Sequence, residues 1–274
     1  MSSEKVINID IAQVLKQKAP KTRIPVFVVN YLRRIVHEDE FNQFFKENPH
    51  LKNLDFIEAA FKYLKVTTEI DGIENLPPKG GRYIFASNHP LGGLDGIATG
   101  YLLGKEYDSK VRFFSNDLMM NLHPMRDMFV PVNKTGAQSK EHAEMMQKLY
   151  ESDNHLVTYP AGICSRKING KIVDLEWKKN FITKAIQYQR DVIPIYFDGR
   201  NSSFFYNLAR IRKFLHIKIN IEMMYLPDEM FKQKGNHFTI RIGKKIPWET
   251  FDKSKSQAEW AKWVKDIVYS MAIK

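Results

Sequence analysis

The sequence predicts an α/β fold: a central sheet, mostly parallel or mixed, flanked by helices and preceded by an N-terminal helical extension. Two patterns carry that expectation. From residue 66 onward, short apolar runs rich in β-branched and aromatic residues alternate with amphipathic helical stretches. Before residue 66, the apolar residues recur at helical spacing. The division that follows is a helical segment over residues 1–65, able to face a membrane, and an α/β domain over residues 66–274. At 274 residues the chain is long enough for one large domain with a sizeable core.

The elements follow in chain order. Pro25 to Val36 is apolar with basic flanks, and Phe41, Phe44 and Phe45 continue at helical spacing. Asn48-Pro49 interrupts the pattern, and Leu54, Ile57, Phe61 and Leu64 then mark an amphipathic helix. Strands are expected at Val66–Ile70, Tyr83–Ala86, Val111–Ser115, Phe129–Val132, Leu156–Tyr159 and Val192–Phe197. Helices are expected at Gly96–Leu103, Ala137–Tyr150 and Trp177–Gln189. Strict alternation predicts two half-buried strands, one from Ile217 to Tyr225 and one from Phe238 to Ile242. A last helix starts at a capping box of Ser256 and Glu259, and Trp260, Trp263, Val264, Ile267, Val268 and Met271 form its apolar face.

Composition narrows the function. The formal net charge of +11 calls for an anionic counterpart: a nucleic acid, an anionic membrane, or an acidic carrier or substrate. Nucleic acid is the poorest fit, since the basic residues are scattered and no helix-turn-helix or zinc-finger spacing occurs. One cysteine, Cys164, excludes an internal disulfide and a thiol-rich metal site. The other histidines (His37, His50, His123, His142, His155, His216 and His237) show no ligand spacing, so no metal is expected. Met1 to Pro20 lacks the apolar core of a signal peptide, and no run of ~18–20 apolar residues predicts a membrane span. The expected location is cytoplasmic, peripheral on the inner face of the cytoplasmic membrane.

Four segments carry chemistry. The first, Ser87-Asn88-His89-Pro90-Leu91-Gly92-Gly93-Leu94-Asp95-Gly96, leaves a strand and enters a helix, where α/β sheets place ligands. A histidine is the side chain best suited to accept a proton near neutral pH, and a carboxylate can fix its tautomer and steady the imidazolium. The glycine pair allows a turn that brings Asp95 back to His89. The second, Thr158 to Lys167, offers backbone N–H groups around Gly162 and two cations, suited to an oxyanion or a phosphate. The third is Phe129-Val130-Pro131-Val132-Asn133-Lys134, and the fourth is the strand ending in Asp198-Gly199-Arg200-Asn201.

In this order, the four segments resemble the glycerolipid acyltransferase superfamily of glycerol-phosphate and lysophosphatidate acyltransferases, over roughly residues 70 to 200. The spelling Asn-His-Pro-Leu-Gly-Gly-Leu-Asp-Gly with Tyr-Pro-Ala-Gly is similar to the bacterial haemolysin-like branch, some members of which are O-acyltransferases that complete amino-acid lipids such as ornithine or glycine lipids. The resemblance implies acyl transfer from an acyl carrier protein or coenzyme A thioester to the hydroxyl of a lyso-lipid acceptor, with no bound cofactor. It implies His89 and Asp95 as the catalytic pair, His89 deprotonating the hydroxyl as it attacks the thioester. Asn88, Lys134, Gly162, Arg166 and Arg200 are then expected to bind the acceptor, a phosphate or the oxyanion.

Three departures bear on the acceptor. The family places four residues between histidine and aspartate; here there are five, and the Gly92-Gly93 turn must absorb the extra one. Ala161 stands where the family has a glutamate, and Lys134 is the nearest equivalent of its phosphate-gripping arginine. These favour an acceptor other than a plain phosphoglycerol, with lysophosphatidate or glycerol-phosphate acylation as the alternative. A homologue that binds membrane lipid without catalysis is the other alternative, and it predicts His89 and Asp95 too far apart to hydrogen-bond. Cys164 offers a rival thiol nucleophile. Two stretches, Arg23–Arg34 and Ser203–Leu215, combine apolar faces with cations and are expected to dock on an anionic membrane.

Overall fold

The computed structural model describes residues 8–18, 20–21, 23–115, 123–131 and 140–272. Four helices come first: α1 (Ile11–Lys18), α2 (Val26–Val36), α3 (Glu38–Glu47) and α4 (Asn53–Leu64). The α2–α3 junction turns at His37 and α4 stops at Lys65, both in the left-handed conformation that ends helices. Then come β1 (Thr67–Asp71), β2 (Tyr83–Ser87), α5 (Leu94–Glu106), β3 (Val111–Ser115), β4 (Phe129–Pro131), α6 (Lys140–Glu151) and β5 (His155–Thr158). A short hairpin, β6 (Arg166–Ile168) and β7 (Lys171–Val173), precedes α7 (Asn180–Tyr188), β8 (Asp191–Asp198), α8 (Ser203–Phe214), α9 (Leu226–Lys232), β9 (His237–Ile242) and α10 (Gln257–Ser270). Ser256 and Glu259 form the expected capping box of α10.

Among the described residues, seven strands make one mixed sheet in the order β1-β9-β8-β2-β5-β3-β4. β8, β2, β5, β3 and β4 are mutually parallel; β9 runs antiparallel to β8 and pairs in parallel with β1. Alternation along the strands divides the core. Tyr83 and Phe85 of β2 and Ile193, Ile195 and Phe197 of β8 face the layer that holds Phe44, Phe56, Leu94 and Leu103. Ile84, Ala86 and Val192 face the opposite layer, with Phe181, Trp260 and Val264 of α7 and α10. β2 is buried along its whole length, which is why it reads as a continuous apolar run. The carboxyl ends of β2, β5 and β8 lie side by side and deliver three of the four chemistry-bearing segments to one edge of the sheet.

One expected strand is absent. Residues 217–220 are an exposed stretch, followed by a 3-10 turn over Ile221–Tyr225. Ile217 and Ile219 face solvent, whereas Glu222 is fully buried. The alternation is real, but the inward side chain is a carboxylate anchored by two arginines, described below, and the stretch joins no sheet among the described residues. The β6–β7 hairpin was not anticipated, although Asn169-Gly170 is a turn dipeptide and both residues have positive φ. Of the helix expected at Ala137–Tyr150, residues 137–139 lie outside the described residues.

His155, at the start of β5, is buried against Tyr83 and Tyr107, with ring centroids 5.1 and 4.2 Å away. Burial, helped by the charges of Arg190 and Lys110, pushes its pKa down to about 4. As pH falls below ~6.5 the unfolded chain binds a proton there that the folded chain refuses. Stability contributed by neutral His155 is therefore present above pH ~6.5 and lost progressively toward pH 4, by roughly 3 kcal/mol at ~1.4 kcal/mol per pH unit. Urea unfolding at pH 7.5 and 5 should show the decline, and His155→Phe should flatten it.

Candidate active site

The site is built on the loop that leaves β2. Gly92 turns it with φ +76, and α5 begins two residues later. Asp95 thereby falls in the first turn of α5, where the helix dipole favours an anion. Its side chain is fully buried. One carboxylate oxygen accepts from His89 Nδ1 at 3.0 Å and from the Leu91 N–H at 3.0 Å; the other accepts from the N–H groups of Gly93 (3.1 Å) and Gly96 (2.8 Å). Burial alone would raise the carboxyl's pKa. The His89 charge and hydrogen bond, with the Leu91 and Gly96 N–H groups, outweigh it and hold the pKa below its ordinary value. His89 and Asp95 are thus in contact across five intervening residues, contrary to the separation that a non-catalytic homologue predicts.

An ionised Asp95 can only accept, so His89 Nδ1 carries the proton and Nε2 is the basic nitrogen. The imidazole lies against the Tyr159 ring at 4.3 Å between centroids. Tyr159 is itself buried; burial and the nearby Asp95 charge raise its pKa, so it stays a neutral platform. The His89 backbone is gripped as well: its N–H donates to Asp174 Oδ1 (3.3 Å), and its carbonyl accepts from the Ser165 N–H (2.8 Å). Asp174 also receives Ser165 Oγ at 2.6 Å and Trp177 Nε1 at 2.9 Å, while its own N–H donates to Tyr269 of α10.

The remaining expected site residues are placed as follows. Asn88 is buried and clamps the loop to β8, its amide bonding the Phe197 N–H (2.7 Å) and carbonyl (2.9 Å). The Gly162 N–H closes a turn onto the Tyr159 carbonyl at 2.9 Å, with φ +72. Arg166 is buried and points inward: it donates to the carbonyls of Cys164 (2.8 Å) and Ser165 (3.2 Å) and pairs with Glu222 at 2.9 Å. The other Glu222 oxygen is 2.9 Å from Arg212 Nε. Arg200 is exposed at the edge of a cleft of about 690 Å³ also lined by Asn88, Pro90 and Asn201. Its lining includes Asn88 and Pro90, the neighbours of His89, and not His89 itself. Lys134 lies outside the described residues. Asp174, Tyr159 and Glu222 were not singled out, and Asp174 and Glu222 carry no motif that would have marked them.

Cys164 is fully buried, and burial pushes its thiol pKa up to about 11, leaving about one thiolate in 10⁴ at neutral pH. That argues against the thiol-nucleophile alternative. Among the described residues, no group of three or more His, Cys, Asp or Glu side chains could hold a metal ion. No helix among them is long and apolar enough to cross a membrane.

The class of protein follows from the whole chain. A family model described as acyltransferase matches residues 13–273, and the chain belongs to that acyltransferase family. Two relatives extend along its full length. A lyso-glycine lipid O-acyltransferase of Bacteroides thetaiotaomicron is 53% identical over 273 residues, covering 99% of this chain and 100% of that protein. One of Phocaeicola vulgatus is 52% identical over 273 residues, covering 99% and 98%. The fold is shared with the crystal structure of the 1-acyl-sn-glycerophosphate acyltransferase PlsC from Thermotoga maritima, at TM-score 0.51 and 17% identity over 96% of this chain and 92% of that one.

Proposed function

We propose that this acyltransferase moves a fatty acyl group from an acyl thioester, of coenzyme A or acyl carrier protein, to the hydroxyl of a lyso-glycine lipid. The observation that carries the chemistry is the 3.0 Å bond from His89 to a buried Asp95. Support for the acceptor comes from the two full-length relatives that bear that activity in their names. His89 Nε2 takes the proton of the acceptor hydroxyl as the oxygen attacks the thioester carbonyl. The tetrahedral intermediate collapses, the C–S bond breaks, and the imidazolium returns the proton to the departing thiolate. Asp95 holds the tautomer and steadies the imidazolium.

In this reading Arg166 and Asn88 position the loops rather than touch the acceptor, as their bonds to Glu222 and Phe197 support. Lys134 and Arg200 remain the cations assigned to anionic groups of donor or acceptor, and the oxyanion donors are N–H groups neighbouring Gly162. The enzyme works peripherally on an anionic membrane, from the cytoplasmic side. Purified protein should acylate lyso-glycine lipid at least roughly tenfold faster than lysophosphatidate, a difference of about 1.4 kcal/mol in the barrier. A preference for lysophosphatidate would overturn the acceptor assignment, and supplying acyl-coenzyme A and acyl carrier protein in parallel identifies the donor.

A further inference from the structure

The exposed apolar side chains of this protein are concentrated. Val26 and Phe27 at the start of α2, Phe214 at the end of α8, and Ile219 just beyond are 73%, 75%, 80% and 72% exposed. Tyr31, Phe204, Ile211, Leu215 and Met224 extend the same surfaces. Two stretches far apart in sequence supply them, and Tyr225 joins the two. Its hydroxyl hydrogen-bonds that of Tyr31 on α2, and its ring meets Phe204 of α8 edge-on at 5.0 Å. α2 and α8 are therefore linked through Tyr225.

The two stretches are predominantly basic, although Arg33 pairs with Glu38 and Arg212 with the buried Glu222. Between Ala19 and His37 the sequence has Lys21, Arg23, Arg33 and Arg34 and no acid. Between Asn201 and Ile221 it has Arg210, Arg212, Lys213 and Lys218 and again no acid. Large exposed apolar groups set among cations suit a surface with an anionic outer layer and an apolar interior. A second copy of the chain would bring like charges together, which disfavours self-association here. The junction at Tyr225 also backs onto the site: Met223 and Leu226, on either side of it, pack with Cys164, and Leu226 lies against the Gly92 turn.

We propose that α2, α8 and the Ile217–Tyr225 stretch form a single docking face that seats the enzyme on an anionic lipid bilayer, joined at Tyr225, with the His89 loop directly behind it. This rests on the membrane-working acyltransferase reading above and specifies which surface does the seating. Cations add attraction to the anionic outer layer, and the apolar tips enter the boundary below it.

Sedimentation with phosphatidylglycerol–phosphatidylcholine vesicles tests it, using the full chain and two double variants, Val26→Asp with Phe27→Asp and Phe214→Asp with Ile219→Asp. Wild type is expected to sediment with the anionic vesicles, less at high salt, and hardly at all with pure phosphatidylcholine. Each double variant should weaken binding roughly tenfold or more, while retaining transfer to detergent-dispersed acceptor, which reports an intact fold. If only one double variant matters, the single composite face is wrong. If neither does, or wild type ignores anionic vesicles, the docking assignment is wrong even where transfer in detergent persists. If the variants keep vesicle binding but lose binding to acyl carrier protein, the face belongs to the carrier and the proposal falls. Normal vesicle binding without any acyl transfer would instead sink the enzymatic reading and leave the face standing.

Discussion

His89→Ala is expected to reduce acyl transfer by about 10²–10⁴-fold, the contribution of a positioned general base, and to leave the fold intact. The imidazole is partly exposed and its bonding partner Asp95 keeps three backbone N–H donors when the ring is gone, so the helix start stays anchored. Asp95→Asn is the sharper test. An amide turned to offer its NH₂ to Nδ1 forces the other tautomer, so Nε2 carries the proton and cannot take one. Its NH₂ would also confront the Leu91 N–H, which donates to the same carboxylate oxygen as His89. Activity should fall nearly as far as in His89→Ala, with an added loss of stability. Initial rates at saturating acceptor, alongside thermal melts, check both. Near-normal turnover in His89→Ala would remove the proposed mechanism.

Glu222→Ala should produce a large loss of stability. Glu222 is fully buried and faces Arg166 and Arg212 at 2.9 Å each. Removing it strands two guanidinium groups, one of them buried, and breaking such a pair typically costs about 3–5 kcal/mol. For a chain of this length, melting should drop by roughly 5–9 °C. Arg166→Met combined with Glu222→Leu and Arg212→Met should recover much of the loss, because the penalty lies in the stranded charge and not in the missing contact. Melting curves of the single and triple variants decide it. A Glu222→Ala protein as stable as wild type would mean that water already screens the cluster.

The central part of the candidate site was legible because its residues are local in sequence. His89, the glycine turn and Asp95 lie within one short segment, and strand-to-helix context could be read on either side of it. The α/β rhythm was legible for the same reason: buried parallel strands are apolar from end to end. What stayed hidden depends on partners distant in sequence. Asp174 supports His89 across 85 residues, and Arg166 meets Glu222 across 56. On paper Arg166 is a cation beside a glycine turn, ready for an anion; in the fold its anion is already supplied from within. The misread stretch at Ile217–Tyr225 failed similarly. Period-two spacing reports that two faces differ, and it is silent on whether the inward face meets a sheet or a salt bridge.

The Gly92 turn has a consequence for how the histidine–aspartate signature tolerates insertion. The loop ahead of α5 sets how far apart the two residues are in sequence, while the helix sets where the carboxylate points. A residue added at Gly92-Gly93 is taken up as slack before the helix begins, and the geometry of the pair survives it. A residue added after the helix has started, between Leu94 and Asp95, would swing the carboxylate by about 100° around the helix axis and away from His89. Sequence searches for such pairs should therefore let the gap vary on the loop side and hold the acid's place in the helix fixed.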